Sequence, residues 1–155
     1  MEKMPITREG LEKLKNDLLK LEKEEKPRNI KAIEEARSHG DISENAEYHA
    51  AKERQAFLEG KINELKGVIN RAEVIERDAG PADQVVFGRH VVLCDLDTDK
   101  EVTYQLVGAY ESDPGGGKIS IESPLGRELI GKALGDEVRV KTPRGLLEYE
   151  IVEVY

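Results

Sequence analysis

Eight residues, Tyr48, Ala51, Gln55, Leu58, Ile62, Leu65, Ile69 and Ala72, recur at spacings that alternate three and four. An α-helix turns once in 3.6 residues, so these positions line one face, and a mostly apolar face that long must be covered by a second helix. The partner precedes it. Leu11, Leu14, Leu18 and Leu21 follow the same alternation, after Thr7 as a favourable N-cap and Glu9 in the first turn. Past Pro27 the stripe resumes in a different phase as Ile30, Ile33 and Arg37. Proline in a helix removes a hydrogen bond and crowds the preceding turn, so a kink is expected there. The expected helices run from about residue 8 to 38 and from about Glu44 to Ile75, joined only by His39 to Ser43. So short a connection forces antiparallel neighbours. The result is an antiparallel coiled-coil hairpin with arms of about 30 residues, roughly 45 Å long, ending in an exposed tip.

Composition agrees with a solvated rod attached to a small globular piece. Of 155 residues, 36% are charged and 5% aromatic, with no Trp, which is poor material for one large core. No apolar run approaches the roughly 20 residues of a membrane span. The opening Met-Glu-Lys-Met-Pro-Ile-Thr lacks the basic and apolar regions of a signal peptide. The single cysteine, Cys94, suits a reducing, cytoplasmic setting. A formal net charge of −8 argues against a main partner that is a bare nucleic-acid backbone.

The charge is unevenly spread. Residues 1–78 carry 16 Lys and Arg against 18 Asp and Glu, the mixture of a solvent-laced helix pair. The remaining 8 basic and 14 acidic residues lie in a half rich in Val, Gly and Pro. Asp78-Ala79-Gly80-Pro81-Ala82-Asp83 marks the change as a breaker cluster. The expected organisation is therefore 1–78 hairpin with its functional tip at 39–45, 79–84 linker, and 85–155 a second domain. Strands are expected over Val85–Leu96 and Glu101–Tyr110 around the turn Asp97–Lys100, then over Lys118–Glu122, Glu137–Lys141 and Leu147–Val154, with a short helix in Ser123–Leu134. The whole is α+β, with the second domain built on an antiparallel sheet.

The tip holds the segment richest in chemistry, Gly40-Asp41-Ile42-Ser43-Glu44-Asn45-Ala46-Glu47-Tyr48-His49-Ala50-Ala51-Lys52-Glu53. If the second helix begins between them, Asp41 and Glu44 share one face. Two readings of that pair stand. Paired carboxylates are hard oxygen ligands suited to Mg²⁺; Asp-x-x-Glu at a helix start is also a variant of the capping box, with both side chains bound to backbone N–H groups. A convex tip cannot exclude water, so acids there would catalyse little unless the rod entered another protein's cleft. Arg37, His39, Lys52 and Arg54 would then face phosphates, against the alternative of solvated helix surface.

That tip closely resembles the bacterial Gre transcript cleavage factors. A second stretch agrees: Ser123-Pro124-Leu125-Gly126-Arg127-Glu128-Leu129-Ile130-Gly131-Lys132, then Gly135-Asp136 and Lys141-Thr142-Pro143. The resemblance covers essentially the whole chain in order. It implies an N-terminal antiparallel coiled coil that enters the secondary channel of RNA polymerase, and a C-terminal FKBP-like domain that docks at the channel rim. It further implies that Asp41 and Glu44 stabilise an Mg²⁺ in the polymerase active site and position the attacking water, so that the polymerase cleaves its own backtracked RNA. The chain would be a monomer that binds no cofactor stably alone and is not itself the enzyme. By the same resemblance Ser43, Asn45 and Tyr48 shape the tip or contact RNA, Arg37 and Lys52 touch the extruded RNA 3′ end, and Ser123 and Pro124 contact the polymerase. A coil that is net −2 rather than broadly basic leans toward the subtype that releases very short fragments.

Other features lead elsewhere. Gly115-Gly116-Gly117-Lys118 misses the phosphate-loop pattern, having Ser112 and Ile119 where Gly and Ser or Thr are required. His39, His49 and His90 are too scattered for a zinc site, His49 reads as a surface partner of Glu53, and Cys94 reads as a small core residue. The C-terminal half offers only Phe87, Tyr104, Tyr110, Tyr149 and Tyr155 to line a prolyl-isomerase pocket, so that activity is not expected. The competing functions are a channel binder of the same architecture that inhibits transcription, and a coiled-coil adaptor or chaperone whose tip is only a capped turn.

Overall fold

Leu58, Ile62 and Leu65 lie buried along one face of a 26-residue helix, as the alternating stripe requires. The computed structural model describes residues 2–41, 45–76 and 80–155. The chain divides into two compact units, one of Leu11–Ala72 and one joining Glu2–Gly10 to Glu73–Tyr155. Residues 2–10 and 73–76, grouped with the hairpin on sequence grounds, thus belong to the C-terminal unit.

Three helical segments make the hairpin: α1 (Arg8–Lys20), which runs through a π-helical turn at Leu21–Glu25 into α2 (Lys26–Ser38), and α3 (Ala46–Arg71). The π-turn and α2 pack against α3. The long first helix of 8–38 is present, but the distortion expected at Pro27 is this π-turn, closed by the Lys26 N–H donating to Leu21 O, five residues back. Pro27 then falls in the first turn of α2, where a missing N–H costs little.

A π-turn takes in one extra residue and rotates everything after it. Continued regularly, the stripe 11, 14, 18, 21 would put Glu25, Arg28, Ala32 and Glu35 against α3. The structure instead buries Asn29 and Ala36 and half-buries Ile33, each one position later. The expected phase of Ile30, Ile33 and Arg37 overshoots: Ile30 is 42% exposed and Arg37 points to solvent. On α3 the stripe drifts near its end, where Val68 is 1% exposed and Ile69 only half-buried. The second helix stops at Arg71, so Ala72 and Ile75 lie beyond it.

In the C-terminal unit, β1 (Met4–Ile6) pairs with β2 (Ala72–Val74). The main sheet contains β3 (His90–Asp95), β4 (Glu101–Val107), β5 (Lys118–Ser120), β6 (Glu137–Thr142) and β7 (Gly145–Val154), in the order β5-β4-β3-β7-β6. A short helix, α4 (Pro124–Leu129), precedes β6. Val85, Val91, Leu93, Leu106, Ile119, Leu129, Val138 and Ile151 form the core. The first expected strand shortens at its start: Val85 is buried in the core but lies outside β3.

The sheet is not wholly antiparallel. β5 runs parallel to β4, with Leu106 opposite Ile119. Two single-turn 3₁₀ segments, Ala109–Glu111 and Pro114–Gly116, carry the chain back, and Gly117 ends the second with φ +80°. Cys94, expected in the core, is only half-buried; its neighbour Leu93 occupies the core position.

The expected linker 79–84 is anchored from Gly80 onward. Arg89, 6% exposed, donates to the carbonyls of Gly80 and Gln84 at 2.8 Å each and to that of Pro81. Ala79 lies outside the described residues. Among the described residues no helix is long and apolar enough to cross a membrane.

Candidate functional site

α2 ends with the Ser38 hydroxyl donating to Glu35 O at 2.6 Å and the His39 N–H donating to Ala36 O at 3.2 Å. Gly40 follows with φ +119°, a region that disfavours any side chain, so the chain leaves the helix there. Asp41 is exposed beyond it. Ser43 and Glu44 lie outside the described residues.

The N-cap of α3 is Asn45, whose Oδ1 accepts from the Tyr48 N–H at 3.1 Å. Its Nδ2 donates to Ala36 O, so a single amide ties the start of α3 to the last turn of α2. Asp41 therefore stands four positions ahead of the cap and outside the helix. α3 begins at Ala46, two positions past the start expected at about Glu44, so the condition under which Asp41 would share its face is not met. The N-cap of α3 is Asn45, and the capping-box reading of the Asp41/Glu44 pair involves Glu44, which lies outside the described residues.

The remaining tip residues are distributed around this closure. Arg37 is exposed on the last turn of α2, next to Ala36, which is 2% exposed. Lys52 is exposed on α3 and donates to Gln55 Oε1 at 3.0 Å. Tyr48 is half-buried, its ring edge-on to that of His49 at 5.8 Å. His39 Nδ1 lies 3.1 Å from Glu47 Oε2. Arg54 sits over the Phe57 ring at 5.3 Å and 3.7 Å from Glu25 Oε2, which makes it part of the hairpin wall. Among the described residues no group of three or more His, Cys, Asp or Glu side chains is placed to hold a metal ion.

Ser123 is the N-cap of α4: its hydroxyl accepts from the Gly126 N–H at 3.0 Å and donates to Ser120 O at 2.6 Å. Pro124 takes the first turn and is exposed. Gly126 is required by close approach, since a Cβ there would stand 2.0 Å from Ser120 O. The structure thus places Asp41, Arg37, Asn45, Tyr48 and Lys52 on the tip region, and Ser123 and Pro124 on a different element.

Asn29 is a buried polar residue of the hairpin that sequence reasoning passed over. It is 8% exposed, and its Nδ2 donates to Ala51 O at 3.1 Å across the hairpin. A signal for it existed: the regular stripe would bury Arg28 and Glu35, whereas a slip of one residue buries Asn29, Ile33 and Ala36.

Known proteins match nearly all of this chain in sequence. The model for the N-terminal part of GreA/GreB transcription elongation factors matches residues 4–74, and that for the C-terminal part matches residues 80–155. Transcription elongation factor GreA of Acidiphilium cryptum is 54% identical over 154 residues, which is 99% of this chain and 98% of that protein. GreA of Mesorhizobium japonicum is likewise 54% identical, again over 99% of this chain and 98% of that protein. GreA of Syntrophotalea carbinolica is 54% identical over 151 residues, 97% of this chain and 96% of that protein. The chain therefore belongs to the GreA/GreB family of transcription elongation factors.

Proposed function

We propose that this elongation factor inserts its hairpin tip into the secondary channel of RNA polymerase and stimulates the polymerase's own cleavage of backtracked RNA. One observation carries the reading: Asn45, not Asp41, caps α3, and Asp41 is an exposed carboxylate beyond the end of α2. A helix cap would account for an acid at that place without any function, and here the cap is supplied by another residue.

Mg²⁺ typically takes one or two carboxylates and keeps several waters, and an exposed Asp41 oxygen fits such a shared role. Bound in the polymerase, the metal would supply charge stabilisation for displacement at phosphorus. On this chain, Asp41 offers the ligand oxygen and an acceptor that orients the attacking water, and Glu44 would add a second carboxylate. Arg37 and Lys52 supply positive charge for the phosphates of the extruded 3′ end. Asn45 holds the tip closed, and Tyr48 packs at its base. The C-terminal domain docks at the channel rim through the exposed Pro124 on the turn that Ser123 caps. The protein acts as a cytoplasmic monomer, and the polymerase makes the cut.

The test is release of fragments from 3′-labelled RNA in a stalled, backtracked polymerase complex with Mg²⁺, with and without this protein. Faster release of short labelled fragments, lost in Asp41→Asn while polymerase binding persists, supports the reading. Slower nucleotide addition without cleavage would assign the chain to channel-blocking factors. No effect of either kind would return it to an adaptor.

A further inference from the structure

The hairpin contains one irregular turn and one buried polar side chain in its described seam, and the two lie next to each other. The π-turn at Leu21–Glu25 shifts the buried positions of α2 by one residue. Asn29, the first buried residue after it, spends its amide on the Ala51 carbonyl of α3. Carbonyls inside a helix already accept a bond from the next turn, so this extra bond is not demanded by Ala51. It is Asn29 that needs it, because a buried amide with no partner costs free energy. The observed rotation of α2, and its axial offset against α3, bring Nδ2 to 3.1 Å from that oxygen, and a turn of one residue about α2 would swing the side chain by about 100° away from it. A single buried Asn acts in this way in coiled coils, specifying register at a cost in stability.

We infer that Asn29, acting with the π-turn, is the positioning residue of the tip: it locks the rotation and register of the last turns of α2. In that phase Ala36 faces α3 and its carbonyl meets Asn45, while Arg37 faces outward. One residue earlier, Glu35 would face α3 instead of Ala36, putting a carboxylate side chain where the Ala36 methyl is buried. Asn29 bonds the Ala51 carbonyl and acts on the tip residues through the rotation of α2. The functional half of the inference rests on the cleavage reading; the structural half does not.

The experiment uses the full chain in a Cys94→Ser background, with spin labels at the exposed positions Glu34 and Glu53 on opposite arms. The unsubstituted Asn29 protein should give one narrow distance distribution. Asn29→Leu removes the amide while keeping bulk and apolar burial, so helix content and melting temperature should hold or rise. The distance distribution should broaden or split, and transcript cleavage should fall by roughly tenfold to a hundredfold with polymerase affinity retained, as a misplaced catalytic group requires. Should Asn29→Leu lose its helical signal, Asn29→Ala serves for the same two readings. An unchanged distribution in a folded variant overturns the inference, whatever the cleavage rate. A changed distribution with no cleavage by either protein upholds the register lock and sinks the cleavage reading alone.

Discussion

Asn45 binds the carbonyl of Ala36 through its nitrogen while capping α3 through its oxygen, so one side chain fixes both ends of the hairpin turn. The two roles separate by substitution. Asn45→Asp keeps the capping oxygen and loses the donor to Ala36; Asn45→Ala loses both. The alanine variant should cost about 1 kcal/mol of cap free energy and speed hydrogen exchange at the Tyr48 amide. In the aspartate variant that amide should stay protected while protection at the end of α2 falls.

Asp41→Asn tests the tip from the other side. Because Asp41 does not cap α3, the substitution should leave urea unfolding of the hairpin within about 0.5 kcal/mol of the parent. Cleavage stimulation should nonetheless fall. A large loss of stability would show that Asp41 has a structural duty after all.

Glu111 tests the attachment of the N-terminal segment. Its carboxylate accepts from the Thr7 N–H at 3.1 Å, from the Thr7 hydroxyl, and from the Gly108 N–H at 2.9 Å; Thr7 Oγ1 in turn accepts from the Gly10 N–H at 3.0 Å. Glu111→Ala strips three donors of their acceptor, and each one left buried costs about 1–3 kcal/mol. Hydrogen exchange should accelerate at Thr7 and Gly10 and remain slow in the core strand β3.

Gly126 is fixed by backbone contact. Alanine there would bring its Cβ to 2.0 Å from Ser120 O and 2.9 Å from Ser120 C, and neither atom can swing aside as a side chain would. Gly126→Ala should destabilise the C-terminal unit by about 3 kcal/mol in urea titration. Gly131→Ala, where no atom lies within 4 Å but φ is +87°, isolates backbone strain and should cost about 1 kcal/mol.

Desolvation pushes the Cys94 thiol above its ordinary value of 9.0, and the carboxylates of Asp99, Glu101, Glu150 and Asp95 push it the same way. The folded chain therefore holds less thiolate than the unfolded chain at any pH near neutrality. Alkylation by iodoacetamide at pH 8 should be slower in buffer than in urea, after correction for urea's effect on a free thiol. Folded Cys94 binds its proton more tightly than unfolded Cys94. Its favourable contribution is therefore present below the unfolded value and is lost as pH climbs from there through the raised folded value. A native rate equal to or above the unfolded one would contradict this.

Much of the architecture was written in local spacing. The alternation from Tyr48 to Ile69 determined α3, because a helical face repeats within a few residues whatever the rest of the chain does. The Leu11–Leu21 stripe and the five-residue gap determined an antiparallel hairpin for the same reason, and Val-rich runs between turn residues determined the strands. The motif around Asp41 determined the family, since a run of specific residue types needs no fold to be read. Tertiary structure decided what depends on meeting a distant partner. The phase of α2 was settled by what α3 would accept, Asn29 and Ala36 rather than Ile30 and Arg37. The cap at Asn45 rather than Asp41 depended on where the helix begins once Ala36 O is available. The parallel pairing of β5 follows from how residues 108–117 bring the chain back. Thr7 meets Glu111 across 104 positions of sequence, a distance at which no periodicity survives and only packing selects the pair.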